Sequence, residues 1–373
     1  MSITLMIATK NIHNRLNSLF TKEELWLIEN LFRRKRTVFD GDTPNEDVLL
    51  STSSRNGITP LLYAGNLCDG FSERFRAAVK QEYLYTMGRN SAFQKIAEEI
   101  INKLSSVNIP VILLKGIHLA TNVYPDIALR PMSDIDLLVP PGKAALAWQI
   151  MNGKEPDERD SDKKTAHHLP AFNYRGANIE LHRYLFPSDV KYTVPVDDIW
   201  KHSEKLDRFN AFAMNPVHQI IYLLLHVYYT TRQGGFRLGW FDDITAVTGF
   251  YSDSIALSEL KTACEAWRVY KPVHLMLQFY ALLVPDNKLG VLLCAKSEKQ
   301  IKQMIRLLHT SNQLKPEYGY GIVFERLWQT KGIRNKIVFI KNILNNKSGC
   351  SPQRIAHLFK NSFRFAVQKI LRR

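Results

Sequence analysis

Cysteine is scarce: 373 residues contain four, Cys68, Cys264, Cys294 and Cys350, and no pair has C-x-x-C spacing. That argues against a thiolate zinc site or a disulfide framework and fits a reducing compartment. Long apolar runs are also missing. No stretch approaches the roughly 20 residues needed to span a bilayer. Met1 to Ala8 is apolar but has no basic segment before it and is too short for a signal peptide. The expected location is the cytoplasm. No segment recurs at a fixed period, which excludes repeat architectures. Acidic residues are the minority charge, 35 Asp and Glu against 50 Lys and Arg, a formal excess of +15. Over residues 331–373 they are absent altogether, while eleven Lys or Arg are present. The rest of the chain is therefore only mildly basic. A basic core domain would point to nucleic acid, whereas a basic appendage leaves several partners open. What remains is ordinary globular material, 45% hydrophobic and 23% charged, long enough for two or three domains.

The chain is organised around Ile109 to Pro140. Ile109 to Leu114 is a short β-branched and leucine run between Asn108 and Gly116, as expected of a buried strand. Residues 117–124 have helical spacing, Pro125 ends them, and Ile135 to Val139 forms a second apolar strand. Asp134 and Asp136 lie two apart on that strand, so both carboxylates face the same way. Taken alone, such a pair is equally compatible with one aspartate capping a turn and the other being solvated. Its surroundings favour a cation site. Like charges held this close are best offset by a divalent ion with hard oxygen ligands. Lys115-Gly116 stands where a strand gives way to a helix, a place where backbone N–H groups face an anion. Gly116 permits close approach of a phosphate, Lys115 adds a point charge, and Arg130 can grip a phosphate with two nitrogens. An anion site beside a cation site suggests a metal–triphosphate complex.

The segments LLKG and ALRPMSDIDLLV resemble the nucleotidyltransferase superfamily that includes DNA polymerase β. They are more closely similar to the broad bacterial group of uncharacterised nucleotidyltransferases. That group shows an LKG turn, a tyrosine, an Arg-Pro pair and a DIDLLV strand, here Leu114-Lys115-Gly116, Tyr124, Arg130-Pro131 and Asp134 to Val139. The nucleotidyltransferase toxins of abortive-infection systems have a similar order. Gly-Gly or Gly-Ser is common in the superfamily turn, whereas Ile117-His118 follow Gly116 here.

Asn178 to His182 alternates, with Ile179 and Leu181 on one side and Glu180 and His182 on the other, after a turn at Arg175-Gly176. The family has a similar acidic-Leu-His strand, more often with Asp at the acidic position. The resemblance thus implies that Glu180 is the third carboxylate, while the residues alone are also compatible with an exposed strand face. His182 reads as a hydrogen-bond partner of the carboxylate. His167 and His168 occur where the family places a histidine, although loop histidines are usually solvated. Zinc held by His167, His168 and His182 is allowed by ligand type, with the carboxylates preferred as the convergent ligands. Leu225-His226 and the run from Arg237 to Ile244 match a softer family pattern. Arg237 and Asp243 can either contact a nucleotide or pair with each other.

Elsewhere the chain reads as helical. Leu16 to Phe32 carries an apolar series that ends in the basic cluster Arg33 to Arg36, and Asp40 to Asn56 reads as a loop. Leu61 to Tyr63 opens a buried segment, and Asn90 or Ser91 caps a helix with Phe93, Ile96, Ile100 and Leu104 inward. Residues 142–152 form a further helix, Asn152 to Lys164 a charged insertion, and Leu292 and Leu293 belong to a late helix. The expected fold is α+β, a nucleotidyltransferase-like mixed sheet with flanking helices. The expected units are 1–89 helical, 90–205 catalytic, 206–330 helical and 331–373 a basic tail.

The resemblance implies a metal-dependent enzyme that moves an NMP from an NTP to a hydroxyl acceptor, a small molecule or glycan precursor being favoured. Asp134, Asp136 and Glu180 would hold two Mg²⁺ or Mn²⁺ ions. Lys115, Gly116, Arg130 and Ser133 would hold phosphates, with His182 beside the nucleotide. The alternatives are a non-catalytic nucleotide-binding or scaffolding protein and a toxin-like enzyme acting on RNA. From Gln353 to Arg373, Ile355, Phe359, Phe363, Ala366 and Ile370 recur at helical spacing among basic residues. That tail can dock on the protein's own core or lie on an anionic membrane; nucleic acid is possible but less favoured.

Overall fold

The computed structural model describes residues 20–33, 44–154 and 167–285, apart from 189, 191, 193 and 232–234, together with positions 287, 289, 332 and 336. Leu16 and Leu19, the basic cluster from residue 34, residues 155–164 of the insertion, Leu292 and Leu293, and the basic tail apart from positions 332 and 336 lie outside the described residues.

The fold is α+β, as expected from the sequence. Among the described residues it has eleven α-helices and one mixed six-stranded sheet. The helices are α1 (Lys22–Leu27), α2 (Glu46–Arg55), α3 (Thr59–Ala64), α4 (Glu73–Ser105), α5 (Lys115–His118), α6 (Ala144–Asn152), α7 (Val196–Lys201), α8 (Pro216–Thr231), α9 (Gly239–Phe250), α10 (Leu257–Ala266) and α11 (Tyr270–Leu283). The strands are β1 (Ile112–Leu113), β2 (Asp134–Leu138), β3 (Phe172–Tyr174), β4 (Ala177–His182), β5 (Glu204–Lys205) and β6 (Phe212–Ala213). Their order across the sheet is β3-β4-β2-β1-β6-β5, with β2 parallel to β4 and antiparallel to β1.

The sheet divides two cores, and the period of two decides which side chain joins which. Ile135 and Leu137 of β2 and Val139 just after it, with Ile179 and Leu181 of β4, pack against α4 and α6 through Ile96, Ile100, Leu104, Ala147 and Trp148. On the opposite face, Ile112, Leu114 and Leu138 join the larger core of α8, α9 and α11, which includes Tyr222, Phe241 and Tyr280. Asp134, Asp136, Glu180 and His182 alternate onto that second face, so the acidic cluster looks toward the helical layer.

Several elements differ from their expected limits. The strand read over Ile109 to Leu114 is regular only over Ile112–Leu113, although Ile109 and Val111 are buried. The helix read over 117–124 is α5 continued by a π-helical stretch, Leu119–Val123, which ends at an extended Tyr124 before Pro125. The helix placed after Asn90 or Ser91 begins at Glu73 instead, where the Ser72 side chain accepts from the Phe75 N–H, and it runs 33 residues. Residues 46–55, part of the expected loop, form α2, capped by Asn45. The Arg175-Gly176 turn is present, with φ +51° and +88° as a two-residue hairpin needs. Among the described residues, no helix is long and apolar enough to cross a membrane.

Candidate active site

Register places the acidic residues. Along the parallel pair, Asp134 faces Asn178, Asp136 faces Glu180 and Leu138 faces His182. Residues matched across a parallel pair project to the same face, so Asp136 and Glu180 meet, with His182 one step along. One ligand-type atom from each of Asp136, Glu180 and His182 lies within 4.8 Å of the others. His182 Nε2 is 2.9 Å from Asp136 Oδ1 and 3.5 Å from Glu180 Oε2.

The antiparallel partner supplies the cation. β1 pairs with β2, and the Leu114 N–H donates to the Asp136 carbonyl at 3.1 Å, which brings the next residue alongside the carboxylate. Lys115 Nζ lies 3.4 Å from Asp136 Oδ2 and 5.7 Å from the centre of the Tyr222 ring. Lys115 has φ +27°, an uncommon backbone for a residue with a side chain, at the point where the strand turns into α5.

The charges follow from this packing. Burial opposes ionisation of Asp136, but Lys115 and His182 outweigh it and hold the carboxyl well below its usual range. Burial likewise opposes the charge on Lys115, and Asp136 overcomes it, so the ammonium is held more firmly than in water. His182 is raised because its contacts with Asp136 and Glu180 outweigh its burial. Glu180 is lowered, chiefly by His182. Asp134 goes the other way, raised by burial and then by Asp136. It is the least compensated acid of the group.

Arg130 is held from the helical layer. Its Nε and Nη2 donate to Asp243 Oδ1 and Oδ2 at 3.1 and 3.0 Å, a two-point pair with little exposure. Tyr124 donates to Asp242 at 2.7 Å and to Asp243 at 3.0 Å. Burial pushes the Asp242 carboxyl up to about 6. Asp243 thus pairs with Arg130, and Arg237 instead lies over the Trp240 ring, 6.0 Å from its centre. Gly116 is needed for close approach, with a neighbour the sequence did not indicate. A Cβ there would stand 2.8 Å from Arg130 Nη1 and 3.2 Å from Met132 Cβ. Ser133 is exposed at the bend before β2.

The histidines gather more tightly than loop positions suggest. The Leu169 N–H donates to the Leu181 carbonyl at 3.0 Å, and His167 accepts from the N–H groups of Arg183 and Tyr184. This pairing seats the His167 and His168 rings 5.3 and 5.4 Å from His182. Burial, with His182 and His168 nearby, pushes His167 down to about 2, so it is neutral. His226, half-buried, lies 5.2 Å from Trp240 and is lowered by burial and by Lys115. Sequence reasoning missed Tyr222, and it missed Asp243 and Tyr124 as the holders of Arg130. No local pattern announces them, because they act across the sheet–helix boundary.

The arrangement therefore offers an acidic face with two cations beside it, and an arginine pinned against a glycine turn. No curated protein and no solved structure matches the chain. A family model described as uncharacterised nucleotidyltransferase matches residues 42–285, a span that contains the strand–turn–helix–strand unit, Glu180, His182 and Asp243, and the chain belongs to that family.

Proposed function

We propose that the chain is a metal-dependent enzyme that transfers an NMP from an NTP to a hydroxyl acceptor, a small molecule or a glycan precursor, using Asp134, Asp136 and Glu180 as its metal-binding acids. The parallel register that sets Asp136 against Glu180 carries this reading, because it brings two acids distant in sequence into one donor set, with Asp134 two residues away on the same face. The donor set fits Mg²⁺ or Mn²⁺. It is made of hard oxygens on one face, and the raised Asp134 shows negative charge that Lys115 and His182 leave uncompensated. Bound there, the divalent ions supply charge stabilisation for the attacking and leaving oxygens.

The residues of the chain do the positioning. Lys115, at the glycine turn, and Arg130, steadied by Asp243, hold the β- and γ-phosphates. Ser133, exposed before β2, adds a hydroxyl contact to the phosphates. The acceptor oxygen bonds to the α-phosphorus, the bond from that phosphorus to the bridging oxygen breaks, and pyrophosphate leaves. Glu180 receives the acceptor's proton, with His182 holding its orientation. Within this scheme residues 90–205 are the catalytic unit, and the helical unit of residues 206–330 contributes Asp243.

Incubating the purified chain with each labelled NTP, Mg²⁺ and fractionated cell extract tests the reading. The expected result is label transferred to a small-molecule or glycan fraction with release of pyrophosphate. Label on RNA would replace the acceptor class. NTP binding without transfer in any fraction would make the chain a nucleotide-binding protein and overturn the enzymatic reading.

A further inference from the structure

A second side-chain cluster stands where the sheet hands over to the helical layer. Asp198 lies in α7, His202 directly follows that helix, and His218 is in the first turn of α8. We infer that Asp198, His202 and His218 form a binding site for a divalent transition metal of the zinc type, separate from the acidic face on β2 and β4.

One ligand-type atom from each residue lies within 4.8 Å of the other two. His202 Nδ1 is 3.0 Å from both Asp198 Oδ1 and the Asp198 backbone carbonyl, so ligation through Nδ1 requires its proton to move to Nε2. His218 Nε2 stands 3.8 Å from Asp198 Oδ2, too far for a hydrogen bond. A tetrahedral ion with ligands at about 2.0–2.1 Å sets them about 3.3 Å apart, so a small closure suffices. His218 is nearly enclosed, and its Nδ1 has no partner among the described residues. Its ring packs 4.6 Å from that of Trp267, which fixes its direction. Trp267 Nε1 donates to Asp198 Oδ2 at 2.7 Å, the kind of outer contact that orients a ligating carboxylate. Burial pushes His218 down to about 4, which leaves it neutral and able to donate a lone pair. Two imidazoles and one carboxylate suit zinc rather than Mg²⁺, whose preference is for oxygen. Water would complete the coordination, and the ion would tie α7 to α8.

Titration calorimetry of the metal-stripped full chain with Zn²⁺ tests this, alongside thermal melting with and without Zn²⁺. Zinc should bind the wild type and the Asp136→Asn/Glu180→Gln variant, and should raise the melting temperature of both. With His202→Ala added to that double variant, at a well-exposed side chain, affinity should fall by at least about ten-fold and the melting shift should vanish, while the metal-free melt stays that of the double variant. Asp198→Asn should behave in the same way. No zinc uptake by the wild type, or uptake unaltered in both His202→Ala and Asp198→Asn, would overturn the inference. Either result leaves the proposed transfer reaction untouched, since the two sites share no residue.

Discussion

Asp136 is the residue on which the candidate site converges, with Lys115 on one carboxylate oxygen and His182 on the other. Asp136→Asn keeps the shape but removes the charge that both cations face. Transfer activity should fall by about 10²-fold or more, and stability by about 3 kcal/mol, read by product assay and chemical denaturation. Glu180 is partly exposed and stands 3.5 Å from His182, a looser contact than that of Asp136, so Glu180→Gln should cost activity with little change in stability. Wild-type turnover in either variant would remove that acid from the metal set. His182 gives a pH dependence of known sign. Its folded pKa is raised above the ordinary value of 6.5, so the stability it contributes is complete below about pH 6.5 and is lost as pH rises through the raised value. Denaturation of metal-free protein from pH 6 to 9 should show that loss in the wild type relative to His182→Gln. Parallel pH profiles for the two proteins would mean that the His182 proton is not held by the acids.

At the scale of elements, the phosphate-side turn is braced by helices distant in sequence. α4 passes beneath it, and the Asn90 side-chain amide donates to the carbonyls of Ile127 and Arg130 at 2.7 and 2.9 Å. Asn90→Ala strands both carbonyls in a buried place and should cost about 2 kcal/mol, measured by urea denaturation. α9 braces the turn from the other side through Asp243. Asp243→Asn should weaken NTP binding as well as the fold, because Arg130 loses its two-point partner. Gly116→Ala should weaken NTP binding through the same arginine, which a Cβ would displace. An unchanged NTP affinity in both variants would confine Arg130 to a structural role. Asn90 also shows why the sequence pattern places the start of α4 too late. Its residue type suits a helix cap, where the side-chain oxygen accepts from a backbone N–H, yet in the fold it sits mid-helix and its amide instead donates to tertiary carbonyls.

At the scale of the whole molecule, the sheet parts two cores and the candidate site lies on the face toward the larger, helical one. The basic segment at residues 331–373 adds positive charge without any acid to offset it. Each Lys or Arg near an anionic membrane contributes about 1 kcal/mol. Deleting residues 352–373 should therefore lower retention on anionic liposomes while leaving NTP binding intact; full retention after deletion would discard the membrane contact. The sequence by itself determined the strand–turn–helix–strand unit, the shared face of Asp134 and Asp136, the Arg175-Gly176 hairpin and the alternation of Glu180 with Leu181. These follow from local sterics, a period of two and turn chemistry, which act between near neighbours. Tertiary structure alone decided that β2 and β4 pair in parallel with Asp136 opposite Glu180, that Asp243 forms its buried ion pair with Arg130 rather than with Arg237, and that the 167–168 histidines pack on His182. Register between distant strands, and the burial that fixes a charge to its partner, depend on which remote surfaces the chain covers, and no local pattern carries that information.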